Sequence, residues 1–283
     1  MSKVSGKVAV VTGAGSGIGR ALAVELANRG ARLALSDVNE ASLGETVDAV
    51  KQQSAEVHAA RLDVADREAV SRYADDVATH FGVVHQIYNN AGIADSFSVT
   101  DGEYARYERL LGINLWGVIY GTKEFLPHLI ASGDGHVVNL SSLNGYLAQP
   151  EMSAYCTAKY GVRGFTEALR CDMLAEGHPV QVSVVHPGGV ATNIANAALA
   201  SGEERGETPT EKDLARARTY NEKLLRMPAT RAAAIIVDGV EAGRSRILVG
   251  RDAIALDALV RLAPGWAPGL AMWGLRRLAA GKR

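Results

Sequence analysis

K-V-A-V-V-T-G-A-G-S-G-I-G, Lys7 to Gly19, decides how the rest of the chain is read. Lys7–Thr12 is a continuous apolar run that ends at glycine, as in a strand buried on both faces; a half-exposed strand would alternate. Ile18 to Arg29 then reads as a helix closed by Gly30. Strand, glycine turn and helix in that order open a doubly wound α/β fold. Side chains are stripped from such a turn so that backbone can approach a pyrophosphate at the helix N-terminus. The turn spaces its glycines as T-G-x-x-x-G-x-G through Thr12, Gly13, Gly17 and Gly19, with Gly15, Ser16 and Ile18 between, and does not fit G-x-G-x-x-G. Any tight strand-to-helix connection also favours glycine, so the turn needs company.

Composition sets the bounds. At 283 residues, 47% hydrophobic and 22% charged, the chain suits one large α/β domain. A net charge of −1 leaves no broad electrostatic case for nucleic acid. The opening M-S-K-V-S-G-K holds no apolar signal core, and Cys156 and Cys171 are too few to frame a fold; a reduced, cytoplasmic setting is expected. No H-x-x-x-H pair and no cysteine at ligand spacing accompany the seven histidines, so no metal is expected.

Outward from the turn, the strand A-R-L-A-L-S-D closes on Asp37, eighteen residues after Gly19. A carboxylate there can grip the adenosine ribose hydroxyls and would repel a 2′-phosphate. No basic residue stands among the last glycines and Val38 follows the acid, so NAD is expected over NADP; the plain alternative is a solvated aspartate ending a strand. E-V-H-A-A-R-L-D-V is a third strand unit ending at Asp63 and Val64, Arg67–Phe81 reads as a helix, and V-H-Q-I-Y-N-N-A-G leads a fourth strand into Asn90, Ala91 and Gly92. One long helix is expected from Glu103 to Ile130, with Asn114 among Leu110, Leu111, Ile113, Leu115 and Trp116. An amide in such company needs a partner or costs a few kcal/mol.

The fifth strand, H-V-V-N-L-S-S, ends on Ser142 at the edge where parallel sheets place chemistry. Thirteen residues on, Tyr155 and Lys159 stand one helical turn apart and share a face. Free tyrosine ionises near pH 10, and an adjacent cation would bring the phenol toward neutrality. Tyrosine and lysine four apart are also a common surface pair. A sixth strand, V-Q-V-S-V-V-H, stops at P-G-G-V-A-T-N-I. Asn193 to Met227 is polar, with a helix expected over Glu211–Arg226 that is either a closing lid or a solvated charged face. R-I-L-V-G supplies a seventh strand.

Taken together, T-G-x-x-x-G-x-G, N-N-A-G, a serine thirteen residues before Y-x-x-x-K, and P-G-x-V-x-T resemble the short-chain dehydrogenase/reductase family over about residues 5–250. The resemblance implies a single Rossmann domain, a seven-stranded parallel sheet flanked by helices, with residues 193–227 as a substrate loop. It implies an NAD-dependent interconversion of a secondary alcohol and a ketone, with Ser142, Tyr155, Lys159 and Asn114 as the catalytic set. Asp63 and Val64 would meet the adenine. Pro187, Gly188, Val190 and Thr192 would hold the nicotinamide carboxamide, and Asn114 a water joining the lysine to solvent. Tyr155 and Lys159 set the chain apart from relatives that bind dinucleotide without catalysis.

Departure begins after Val249. V-D-G-V lies in a helical stretch where many relatives have a tetramer-forming V-D-G-G strand, which weakens a tetramer beside a homodimer as the expected assembly. Residues 251–283 form a C-terminal extension holding L-A-P-G-W-A-P-G-L-A-M-W-G-L, uncharged over Leu262–Leu275 and followed by Arg276, Arg277, Lys282 and Arg283. The run is too short to span a bilayer and is expected to be broken at Pro264 and Pro268. Its candidate uses, in order of expectation, are a lid on a lipophilic substrate, a dimer contact and a peripheral membrane foot; membrane contact is not the favoured use, and with it the chain would be a membrane-associated lipid or steroid dehydrogenase.

Overall fold

The computed structural model describes residues 3–53, 55–204 and 206–280. Its first half runs β1 (Val8–Thr12), α1 (Gly17–Asn28), β2 (Arg32–Asp37), α2 (Glu40–Lys51), β3 (Val57–Arg61), α3 (Arg67–Phe81), β4 (Gln86–Asn89), α4 (Tyr104–Leu111) and α5 (Gly117–Ala131). The second half continues β5 (Gly135–Leu140), α6 (Ser153–Glu176), β6 (Val180–Pro187), β7 (Val190–Ala191), α7 (Ile194–Glu204), α8 (Glu211–Thr219), β8 (Met227–Pro228), α9 (Ala229–Glu241), β9 (Arg246–Val249), α10 (Arg251–Leu262) and α11 (Ala267–Ala280).

The apolar runs form one parallel sheet of seven strands in the order β3-β2-β1-β4-β5-β6-β9. Every residue of β1, β4 and β5 is buried, as continuous rather than alternating hydrophobicity requires. Side chains of β1 and β2 on one face pack with α1 and α9, and those on the other face with α3, α5 and α6. The chain reverses its direction across the sheet between β1 and β4. Connections diverge there and leave a crevice beyond the carboxyl ends of the strands.

Three expectations need correction. The helix expected from Glu103 to Ile130 is interrupted by a π-helical turn at Gly112–Trp116. Asn114 sits in that turn, fully buried; its side-chain oxygen accepts from the Ile93 N–H and its amide donates to the Ile93 carbonyl, both at 2.8 Å. Turning the amide inward to satisfy a backbone pair costs the helix its regular ladder. The helix expected over Glu211–Arg226 ends at Thr219, passes through a π turn at Tyr220–Leu224 and becomes β8, which pairs with β7. The Arg226 and Met227 N–H groups both donate to the Gly189 carbonyl, at 3.0 Å, which pulls the chain out of the helix. Finally, Pro264 does separate α10 from α11, but Pro268 lies in the first turn of α11, where its missing N–H has no helical partner to lose. Lys282 and Arg283 lie outside the described residues. Among the described residues no helix is long and apolar enough to cross a membrane.

Candidate active site

The glycine turn is fixed to β4 by Thr12 and Asn90. The Thr12 hydroxyl accepts from the N–H groups of Asn90 (3.0 Å) and Ala91 (3.1 Å). The Asn90 amide donates to the carbonyls of Thr12 (2.9 Å) and Gly13 (3.1 Å). Approach is so close that a Cβ on Gly19 would lie 1.9 Å from the Gly13 oxygen, and one on Gly13 would lie 2.7 Å from Ala91 Cα. Gly17, at φ +52°, keeps the mouth of the crevice clear: a Cβ there would reach 3.1 Å from the Thr192 methyl. Next to it Gly15 admits the Asp37 carboxylate, which accepts from the Gly15 N–H at 2.8 Å and the Asn39 N–H at 2.9 Å. A cradle emptied of side chains, with a carboxylate at its ribose side and the N-terminus of α1 behind Ser16 and Ile18, suits a dinucleotide. Asp63 is exposed and accepts from the Ala65 N–H at 2.9 Å, whereas Val64 is buried against Gly117.

The four candidate catalytic residues converge at the ends of β4 and β5. Lys159 is buried, and its ammonium donates to the Leu140 carbonyl at 2.9 Å while standing 5.8 Å from the Tyr155 ring centre. Gly92 lies between it and Asn114: a Cβ at Gly92 would be 3.3 Å from the Asn114 oxygen and 3.7 Å from Lys159 Nζ. The Ser142 hydroxyl accepts from the Asn144 N–H at 3.2 Å and lies near enough to the Tyr155 phenol to act on its ionisation. Burial dominates the electrostatics. It pushes Tyr155 up to about 12, against the nearby Ser142 hydroxyl, which acts downward. Burial also takes Lys159 down to about 8. The downward shift expected of the phenol from its lysine neighbour is not found: burial sets the direction, and Lys159 is not among the groups that act on Tyr155.

Pro187 ends β6, Gly188 opens the turn after it, and Val190 in β7 and Thr192 follow. A cavity of about 420 Å³ opens between Gly17, Thr192 and Asn193 on one side and Asn221 and Leu225 on the other. The 193–227 segment thus covers the same crevice that the glycine turn lines. It is tied to the loop before α6 by the Glu151 carboxylate, which holds both Lys212 and Arg216, and by the Tyr220 hydroxyl, which donates to Gln149 at 2.8 Å. Tyr220 also comes near enough to raise the Tyr155 phenol.

Several residues at the site carry no motif. Arg20 clamps the turn from behind, donating to the Gly15 carbonyl at 2.6 Å, the Ser42 carbonyl at 3.1 Å and Glu45 at 2.7 Å. His186, buried and held down to about 4 by desolvation, keeps Nδ1 2.9 Å from the Ser142 carbonyl; as the neutral Nδ1–H tautomer it donates there. Asp252, the second residue of α10, accepts from the Gly189 N–H at 2.7 Å and so joins the C-terminal extension to the P-G-G turn. Arg20 follows Gly19 directly and His186 precedes Pro187, so nearness to a motif was the available signal; nothing in the sequence marks Asp252 or Glu151.

Comparisons with known proteins bear on the family and the fold. The model of the family described as short chain dehydrogenase matches residues 7–202. The putative oxidoreductase SadH of Mycobacterium tuberculosis (strain ATCC 25618 / H37Rv) is 52% identical over 263 residues, covering 93% of this chain and 92% of that protein. A short chain dehydrogenase/reductase from Burkholderia phymatum, solved in complex with NAD, is 34% identical with a TM-score of 0.86 over 94% of this chain and 95% of its own. Carveol dehydrogenase from Mycobacterium avium, also in complex with NAD, is 26% identical with a TM-score of 0.75 over 88% and 98%.

Proposed function

Since the chain belongs to the short-chain dehydrogenase/reductase family and is an oxidoreductase of that family, we propose that it interconverts a secondary alcohol and a ketone with NAD as the redox partner. The observation that carries this reading is the convergence of Ser142, Tyr155, Lys159 and Asn114 at the carboxyl ends of β4 and β5, facing a cradle that glycines keep empty. The cofactor would supply the hydride and its acceptor. Gly13, Gly15, Gly17 and Gly19 would hold the pyrophosphate, Asp37 the adenosine ribose, Lys159 the nicotinamide ribose, and the Pro187–Thr192 turn the carboxamide.

Ser142 orients the substrate oxygen, its own backbone braced by His186. Tyr155 gives its proton to that oxygen as the ketone is reduced; a phenol pushed up to about 12 is fully protonated at neutral pH and ready to donate. In the opposite direction the phenol must first lose its proton, so alcohol oxidation gains from alkaline conditions. Lys159 would favour the phenolate by its charge, and Asn114 keeps the lysine and Gly92 in register. The Asp37 carboxylate disfavours a 2′-phosphate, and the two neighbours solved with NAD support the same choice.

Turnover of a panel of secondary alcohols, read by NADH absorbance, tests the reaction. Tyr155→Phe should retain NADH binding within about 2-fold and lose about 100-fold or more in turnover. A nearly fully active Tyr155→Phe, or a wild type that binds NADPH more tightly than NADH, sinks the assignment.

A further inference from the structure

Charge is divided unevenly along the chain. Residues 251–283 hold six basic residues and two acidic ones, a net of +4, which leaves −5 on residues 1–250 of a chain whose total is −1. Both acids are used internally: Asp252 accepts from Gly189, and Asp257 is gripped by Arg246 and Arg261. Around this charge lies an outward apolar stripe. Leu262 is 86% exposed, Trp266 76%, Leu270 46% and Trp273 56%. Leu270, Trp273 and Arg277 follow one another at helical spacings of three and four, so they share one face of α11; Trp266 stands four residues before Leu270 in the turn that opens the helix, and the Arg277 guanidinium lies 4.0 Å above the Trp273 ring. The extension is docked from its other side: Ala267 is fully buried with Tyr146 and Leu147, in the segment that follows Ser142, and the Tyr146 hydroxyl donates to the Ala253 carbonyl at 2.8 Å.

We infer that α11 and the turn before it form a peripheral foot that binds an anionic lipid surface. Amphipathic tryptophans flanked by arginine suit the boundary between headgroups and acyl chains, and a tail of +4 is complementary to a negative leaflet. A helix of fourteen residues lies in that boundary and does not span it. A lid would turn its tryptophans inward, and these face out. A second copy would bring another tail of +4 to this face, a like-charge approach that a negative leaflet avoids. The foot stands beside the segment that follows Ser142, so docking would hold the substrate side of the crevice at the membrane. This inference concerns binding alone and does not depend on the alcohol–ketone reading.

The test is co-sedimentation of the full chain with vesicles of phosphatidylcholine and of phosphatidylcholine containing about 30% phosphatidylglycerol. Binding to the anionic vesicles should exceed binding to neutral ones by about 10-fold at low salt and fall several-fold at 0.5 M salt. Trp266→Ala/Trp273→Ala and Arg277→Glu should each weaken it by about 5-fold or more, with thermal melting unchanged. No binding, equal binding to both vesicles, or variants that bind as wild type would overturn the inference. So would sedimentation velocity showing a dimer that the tryptophan variant converts to monomer, because the face would then belong to a second copy.

Discussion

The two walls of the crevice are built on different principles. On the cofactor side, Thr12, Gly13, Gly19 and Asn90 are locked by backbone packing with no room for one more carbon atom. On the substrate side, the 193–227 segment is fastened through long side chains: Glu151 to Lys212 and Arg216, and Tyr220 to Gln149. A steric lock is all or none, whereas charged clasps at a surface are worth a fraction of a kcal/mol to about 1 kcal/mol each. On the function proposed above, one wall would fix a common cofactor, and the other could be refitted to a different substrate without disturbing it.

Adding a single methyl group to the locked wall should have the largest effect. Gly19→Ala places carbon 1.9 Å from the Gly13 oxygen and 2.5 Å from the Asn90 amide, so the turn must open. NADH affinity should fall by about 100-fold or more, and the melting temperature by roughly 5–10 °C. Gly44→Ala is the matched control: nothing lies within 4 Å of its Cβ position on α2, and alanine there should stabilise the helix by about 1 kcal/mol. A Gly19→Ala protein that binds NADH normally would show that the wall is not a steric lock.

Between the walls, Lys159 stands where function opposes stability. Burial holds it at about 8, against 10.5 in the unfolded chain. Between those values the unfolded state binds more protons, so stability rises as pH climbs from 8 to 10.5, and below 8 the whole cost of a buried charge is present. Lys159→Met removes that cost and gives up the bond to the Leu140 carbonyl. At pH 7 the variant should be more stable by about 2 kcal/mol, an advantage that fades toward pH 10.5, while turnover collapses. Denaturant unfolding at pH 7, 9 and 10.5 checks the sign. A variant less stable than wild type at pH 7 would mean that the ammonium is held in place by more than the structure contains.

How far the sequence could be read follows from the same contrast. Gly13, Gly19 and Asn90 were legible because close backbone approach dictates residue type locally, and Ser142, Tyr155 and Lys159 because one strand end and one helical turn place them. The π turn at Gly112–Trp116 was hidden: Leu110, Ile113 and Leu115 keep a helical pattern, and only the tertiary partner of Asn114, the Ile93 backbone, shows why the ladder shifts. Asp252 and Glu151 were invisible for a related reason. Their partners are 63, 61 and 65 residues away, and such pairings exist only once the sheet has closed.

Glu151 gives the smallest and sharpest test. It is the one non-glycine among the described residues with positive φ, +60°, and its carbonyl accepts from the Phe97 N–H at 2.9 Å and the Ser96 hydroxyl at 3.3 Å. Such a backbone costs of order 1 kcal/mol and persists where the surroundings require it. Here it aims the carboxylate at α8, and Lys212, with Arg216, keeps that carboxyl below its ordinary range. Glu151→Gln preserves the shape and removes the charge. Because the Lys212 side of the clasp is open to solvent, KM for the alcohol should rise only about 2–5-fold, with kcat and NADH affinity within about 2-fold of wild type. Hydrogen exchange should quicken over 211–224 and stay unchanged over 12–19, and 0.5 M salt should move wild type toward the variant and leave the variant where it is. If NADH affinity fell as much as KM rose, the two walls would be one mechanical unit, and the division between a fixed and a refittable side of the crevice would have to be given up.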